Sequence, residues 1–307
     1  MTLQSLSQTK APALGGSKTR RDWRVLLGKI PLRSTVYLTA LIIAMISLIP
    51  VLWTLSTSLK MGGAVSKLPP EWIPDPIYWN NYTGVLSGMG GVLPFTRWVT
   101  NTLTICAFNV FGEIFFAAVA GYGFARFRFR LREAFMLAMF ANAIVPGMIK
   151  MLPQYMMFAS WHWTDTYLPL IIPNWFGGMF LTFLFRQYFL TIPRSLDESA
   201  MIDGASRLQI FVRIILPLSR PILATAAVMV YMFNWDNFLG PYIYVSTVEK
   251  YTLAVGLQFF RQQSYSAVTK EPLMAAYTVL MAAPVVIAFF MFQRYFVQGI
   301  QLSASKE

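Results

Sequence analysis

Six stretches of this chain are too long and too apolar to belong to one soluble core, and they decide what it can fold into. They cover about 35–55, 99–121, 134–152, 168–186, 221–240 and 273–294. A helix crosses a bilayer with roughly 20 predominantly apolar residues, because its backbone N–H and C=O groups must be satisfied within the segment. With 56% hydrophobic and only 12% charged residues, the chain reads as an all-α integral membrane protein with six transmembrane helices. Several windows contain proline, so interrupted spans are expected.

The net charge of +12 is explained by where the charges fall. Lys10, Lys18, Arg20, Arg21, Arg24, Lys29 and Arg33 precede the first span, and Arg126, Arg128, Arg130 and Arg132 follow the second. Arg186, Arg194, Arg207, Arg213 and Arg220 surround the loop between the fourth and fifth, and Arg294 and Lys306 follow the sixth. An N-in, C-in topology puts all of them on the cytoplasmic side, as the positive-inside bias requires. Basic residues spread over membrane borders form no single groove or helix face. Their setting is membrane lipid, and nucleic acid is not an expected partner.

This topology divides the chain into a flexible basic cytoplasmic tail at 1–34, an uncleaved first helix at 35–56 and an extracytoplasmic loop at 57–98. A helical core at 97–298 and a short cytoplasmic tail at 299–307 complete it. The loop sequence "LPPEWIPDPIYWNNYTGV" suits an ordered segment with rings at headgroup level. A second extracytoplasmic segment, 241–272, contains "TVEKYTLAVGLQFFRQQ" and is expected to form a short surface helix or hairpin. The single Cys106 excludes an internal disulfide and a multi-cysteine metal site.

Between the fourth and fifth spans lies "LDESAMIDGASRLQIFVRIILPLSRP", residues 196–221. Ser195 with Glu198 has the form of a capping box that opens a helix, and Ser206 with Gln209 repeats it. Asp203-Gly204 between them suits a left-handed turn. Leu208, Phe211, Val212 and Ile215 are spaced as one apolar stripe of a 3.6-residue helix, and Pro217 and Pro221 close the unit. Two short helices joined at a glycine turn fit either docking into a groove of a soluble partner or packing on lipid and the bundle itself.

Glu198-Ser199-Ala200, Asp203-Gly204-Ala205, Phe211, Ile214, Pro217 and Pro221 resemble the EAA loop of the permease subunits of binding-protein-dependent ABC importers. Ser199 departs from the alanine usual there, keeping a small residue. "PVLWTLSTSLK", "GYGFARFRFR", "FLFRQYFLTIPRSLDESAMIDGAS", "NWDNFLGPYIY" and "FQRYFVQGI" are similar to carbohydrate importers of the maltose-permease-G type, over roughly 35–300. "KEPLMAAYTVL" is similar to the second permease subunit of alginate importers. The resemblance implies a multi-pass protein of the bacterial inner membrane forming half a pore. Its implied partners are a homologous permease, two ATP-binding cassette subunits and an extracytoplasmic solute-binding protein that delivers an oligosaccharide. The unit at 195–217 would be the coupling helix, with Glu198, Ala200, Asp203, Gly204, Ala205, Leu208, Phe211 and Pro217 engaging an ATPase subunit. No G-x-x-x-x-G-K-[ST] phosphate loop occurs in the chain. The chain therefore cannot cradle ATP by that loop; the resemblance implies that it holds no cofactor and is not itself an enzyme, and that ATP and Mg belong to the partner subunits.

Polar groups inside spans are costly unless they face a bundle interior or a wet cavity. Asn234, Trp235, Asp236 and Asn237 in the fifth span, and Asn174 and Trp175 in the fourth, therefore either line a sugar path or hydrogen-bond between helices. Amides and aromatic faces suit the hydroxyls and C–H surfaces of sugars. Glu113, midway through the second span, fits a subunit-interface group, or the relay of a proton-coupled secondary transporter, the competing function. His162 and Asp165 in "SWHWTDT" fit an interfacial hydrogen-bonding pair better than a catalytic one.

Overall fold

The computed structural model describes residues 23–65, 67–88, 94–262 and 267–304. Among them there is no strand. The helices are α1 (Trp23–Ser58), α2 (Asn80–Leu86), α3 (Phe95–Arg126), α4 (Arg132–Ile144), α5 (Gly147–Ser160), α6 (Leu168–Gly177) and α7 (Met179–Thr191). They continue with α8 (Arg194–Ile202), α9 (Arg207–Leu218), α10 (Arg220–Trp235), α11 (Leu239–Tyr244), α12 (Leu253–Gln262) and α13 (Ala267–Ala304). The chain separates into two units, Met1–Leu52 and Trp53–Glu307. In the first, α1 is already helical at Trp23, so the tail expected to reach residue 34 gives way to helix earlier. Residues 1–22 lie outside the described residues. At the other end α13 continues to Ala304, so most of the expected tail at 299–307 is helical, and 305–307 lie outside the described residues.

Four segments are long and apolar enough to cross a membrane: Ser34–Ser58, Phe95–Arg126, Leu168–Thr191 and Lys270–Gln293. The expected six are reached when each of two bent pairs counts as one span. The pair α4 and α5 turns through 98° and the pair α9 and α10 through 77°. The first bend has a local cause. Pro146 disfavours helical backbone at Val145, which is extended at ψ 119, and Pro146 itself caps α5 at ψ 132. The Lys150 ammonium then donates to the Asn142 carbonyl across the bend, at 3.2 Å. Pro153 lies within α5.

In the larger unit α3 is the central element, packed by α6, α7 and α10. Its approach to α7 is close because Gly121 carries no side chain: a Cβ there would stand 2.7 Å from the Phe185 Cβ. Small residues of this kind let membrane helices pack backbone to backbone. One core, around Tyr122, Phe185, Phe189, Phe211 and Ile215, gathers at the α3 C-terminal end. A second, around Trp98, Trp235, Phe260 and Tyr277, gathers near its N-terminal end. Phe108, Phe111, Phe115 and Val119 of α3 remain exposed, a surface suited to lipid or to another membrane chain.

The two outer segments are ordered by hydrogen bonds. In the first, Ser56 Oγ donates to the Trp72 carbonyl at 2.6 Å, and Asn81 Nδ2 donates to the Ser58 and Lys60 carbonyls. The Lys60 ammonium lies 4.0 Å from the centre of the Trp53 ring, and its burial lowers its pKa, with the Glu71 carboxylate opposing. In the second, α12 is the expected short helix, and one face of it is core: Leu253, Gly256 and Phe260 are buried. Trp98 Nε1 donates to the Val248 carbonyl at 2.7 Å, securing the approach to α12.

Candidate functional site: the two-helix unit at 194–218

The turn between α8 and α9 follows from one glycine. Gly204 has φ +81, where a side chain would be strained. The Ala205 N–H donates to the Ala200 carbonyl at 2.9 Å and the Gly204 N–H to the Met201 carbonyl at 3.1 Å. These are the paired bonds of a Schellman motif, which satisfy carbonyls that a helix end otherwise leaves open. Asp203 is the C-cap, at φ −73. Next, α9 opens with the expected capping box: the Ser206 N–H donates to Gln209 Oε1 at 2.7 Å and the Gln209 N–H to Ser206 Oγ at 3.3 Å.

The expected box at Ser195 and Glu198 is not formed. The N-cap of α8 is Pro193, with no side-chain cap bond, so Ser195 lies inside the first turn and Glu198 is exposed. The single apolar stripe is also revised. Phe211 and Ile215 are buried at 6% and 0%, whereas Leu208 is 71% and Val212 51% exposed. The reason is that Phe211–Ile215 is π-helical. Its i→i+5 bonding brings Ile210 and Ile215 onto the inner face, both closed to solvent. The unit therefore has two apolar faces. Ala200, Ile210, Phe211 and Ile215 belong to the core with Tyr122, Phe185 and Phe189, and Ala205 packs against it. Ile202, 86% exposed, and Leu208 lie uncovered on either side of the Gly204 turn. Pro217 is exposed within the last turn of α9.

A residue outside the expected set fixes the unit to the bundle. Asp197 Oδ2 pairs with Arg126 Nε at 2.8 Å, with side chains 13% and 3% exposed. Arg126 Nη2 also donates to the Ile192 carbonyl at 3.0 Å. Arg126 is the last residue of α3, so this fork ties the second span to the entry of α8. At the other end, Tyr188 Oη of α7 donates to the Leu218 carbonyl at 3.1 Å.

The polar residues of the spans form links between helices. Asn109 Nδ2 of α3 donates to Asn234 Oδ1 of α10 at 2.6 Å and to the Leu170 carbonyl of α6 at 3.0 Å. Asn234 is 4% and Trp235 1% exposed, and Trp235 Nε1 donates to the Met281 carbonyl of α13 at 3.0 Å. Both residues thus make helix-to-helix links, their polar atoms enclosed within the chain. Trp175 Nε1 donates to the Phe108 carbonyl at 3.0 Å and lies on Gly112. Asn174 Nδ2 bonds the Leu170 carbonyl at 2.9 Å. Asn237 Oδ1 accepts from the Gly240 N–H at 3.2 Å, within a turn. Asp236 is exposed, and Glu113 is half-buried with Asn234 as its side-chain neighbour.

Residues 113–302 match the family model described as binding-protein-dependent transport system inner membrane component. The chain belongs to this family. It is 29% identical to the arabinooligosaccharides transport system permease protein AraQ of Bacillus subtilis over 276 residues, 89% of this chain and 96% of that protein. It is 30% identical to the sn-glycerol-3-phosphate transport system permease protein UgpE of Yersinia enterocolitica over 238 residues, 77% of this chain and 84% of that one. Its fold matches a crystal structure of a bacterial ABC transporter involved in the import of the acidic polysaccharide alginate, at TM-score 0.75 and 25% identity. That match covers 90% of this chain and 98% of the other. A second alginate ABC transporter structure, in complex with a periplasmic protein bound to an alginate pentasaccharide, matches at TM-score 0.63 and 16% identity, a likeness of fold.

The region matching this permease family contains the whole two-helix unit, the Asn109 partner Asn234, and Asp165. Asp165 is not bonded to His162. Its carboxylate accepts from the Ser246 and Thr247 N–H groups, the Thr247 hydroxyl and the Lys250 ammonium, the last at 2.7 Å. Burial by itself would raise this carboxyl. The Lys250 ammonium and the three other donors outweigh it and hold the group well below the usual carboxylate range. The result is a permease whose outer loop is clamped to the segment before α12.

Proposed function

We propose that this permease is one half of the transmembrane pore of an ATP-driven, binding-protein-dependent importer of oligosaccharides in the bacterial cytoplasmic membrane. The observation that carries the reading is the two-faced unit at 194–218. Its inner face belongs to the core at the end of α3, and its outer face leaves Ile202 and Leu208 uncovered on a short rigid turn. An uncovered apolar tip on a well-anchored helix pair suits insertion into a groove of a soluble subunit.

In this reading two ATP-binding cassette subunits hold ATP and Mg and carry out hydrolysis. A homologous permease completes the pore, and a solute-binding protein delivers the sugar from outside. Movement of the docked tip is passed to the spans as a rigid-body displacement. The substrate is an oligosaccharide, supported by the name of the arabinooligosaccharide permease, whereas the second relative is named for sn-glycerol-3-phosphate. Fragments of an acidic polysaccharide such as alginate are the finer assignment, supported by the likeness of fold. The test is affinity purification of the chain in mild detergent from its native membranes. Vanadate-sensitive ATPase should co-purify, rise on addition of sugar-loaded binding protein, and be lost from the Ile202→Asp, Leu208→Asp double variant. A stable complex without ATPase, driving transport by a proton gradient, would overturn the reading in favour of Glu113 as a relay.

A further inference from the structure

A second feature of the same region is a cavity of about 460 Å³ between the end of α3 and the two-helix unit. Four arginines border it: Arg126, Arg128, Arg194 and Arg207. They are brought together by three helix ends. Arg126 closes α3, and the chain then runs extended through Phe127 at ψ 144, placing Arg128 two residues on. Arg194 opens α8 and Arg207 opens α9. Two carboxylates also border the cavity, Asp197 and Glu198. Asp197 is neutralised by Arg126, which leaves Glu198 against three guanidinium groups. Arg128, Arg194 and Arg207 are exposed, and none has a carboxylate within ion-pair distance among the described residues.

Like charges gathered around one cavity repel one another, and a cation at the first residue of α8 is additionally disfavoured by the helix dipole. A bound anion removes both penalties. Guanidinium groups match phosphate oxygens through paired N–H donors. The cavity lining also includes Phe127 and Met201, 36% and 41% exposed, and the chain just beyond Arg128 exposes Phe129 and Leu131 at 42% and 57%. A charged recess with exposed apolar side chains in and next to its lining has the form of a headgroup site with room for acyl chains.

We propose that this cavity binds a phosphate group, that of an anionic phospholipid, and that the bound headgroup joins the end of the second span to the unit at 194–218. The leaflet it draws from rests on the topology proposed above, whereas binding itself is measured without transport. The full chain, with whatever subunits co-purify, is reconstituted in nanodiscs of phosphatidylcholine containing spin-labelled phosphatidylglycerol, with inorganic phosphate as competitor.

Wild type should enrich phosphatidylglycerol, and each replacement among Arg128→Gln, Arg194→Gln and Arg207→Gln should weaken it about fivefold. The Arg130→Gln, Arg213→Gln variant, of equal charge class but outside the cavity, should bind as wild type. Displacement by millimolar inorganic phosphate, with no lipid preference, would identify free phosphate as the source of the same chemistry and overturn the lipid assignment. Unchanged enrichment in the cavity variants, or an equal loss in the control variant, would overturn the site itself.

Discussion

Replacing Asp197 by Asn tests the link between the second span and the proposed coupling unit. The Arg126 guanidinium is 3% exposed and its Nε lies 2.8 Å from the Asp197 carboxylate; its one other described acceptor is the Ile192 carbonyl at 3.0 Å. Removing one partner of a buried pair costs about 3–5 kcal/mol, because the remaining charge stays buried without compensation. Asp197 lines the adjoining cavity and its side chain is 13% exposed, so the lower end, about 3 kcal/mol, is the expected value. At about 1.4 kcal/mol per factor of ten, the seated arrangement of α8 loses more than a hundredfold in population. Hydrogen exchange should show this directly: amides of 194–204 lose protection while those of 100–120 keep theirs. In proteoliposomes, ATPase should persist and become independent of the binding protein, with transport lost. A paired Arg126→Met, Asp197→Leu variant should recover protection, because an apolar pair carries no buried charge. Wild-type protection of 194–204 together with wild-type coupling in Asp197→Asn would refute the link.

Four further outcomes are expected. Gly204→Val strains a φ of +81 by about 1–3 kcal/mol although its Cβ meets open space; transport should fall while membrane insertion is normal, and Gly204→Asn, which tolerates this backbone, should retain transport. Gly112→Ala puts a Cβ 2.0 Å from Trp175 Nε1, and melting in detergent should show an overpacking loss of about 1–3 kcal/mol. Glu113→Gln should leave the pH profile of transport unchanged under the importer reading, and abolish it if Glu113 relays protons. Asp165→Asn should lower thermal stability near neutral pH; since the folded carboxyl is held below its unfolded value of about 3.9, the difference from wild type is full above that pH and shrinks as pH falls through the folded value.

The spans were legible because apolar length is a local property, and so were the Gly204 turn and the Ser206 box, each fixed by residues within a few positions. The Ser195 box failed for an equally local reason: Pro193 takes the cap position and draws Ser195 into the helix. The divided stripe was not legible, because a wheel of 3.6 residues per turn cannot represent the π-helical stretch at Phe211–Ile215. The role of Asp197 depends on Arg126, far away in sequence, and nothing near Asp197 distinguishes it from its neighbour Glu198. Asn234 illustrates the same limit. An amide in a span must be satisfied, yet the partner that satisfies it, Asn109 at 2.6 Å, stands on a helix distant in sequence.

How a displacement at the tip reaches the membrane follows from where the unit is stiff. Fully burying an Ile or Phe side chain is worth about 1.5–3 kcal/mol, and Ile210, Phe211 and Ile215 are all at or below 6% exposure, so the inner face moves with the core it joins. The turn at Gly204 is held by two backbone bonds and the Ser206 box, and it is not a free hinge. The change of direction comes instead at Ser219, between α9 and α10. There the Ser219 N–H and Oγ both donate to the Ile215 carbonyl, at 3.0 and 2.7 Å, and the residue is fully buried. A push on Ile202 or Leu208 therefore has two stiff routes into the bilayer, through Asp197 and Arg126 to α3 and through Ser219 to α10. These are the two helices that Asn109 and Asn234 fasten together. The second and fifth spans should consequently move as one body, and a spin-label pair placed on them should keep its distance through the transport cycle while distances from either to the proposed second permease change.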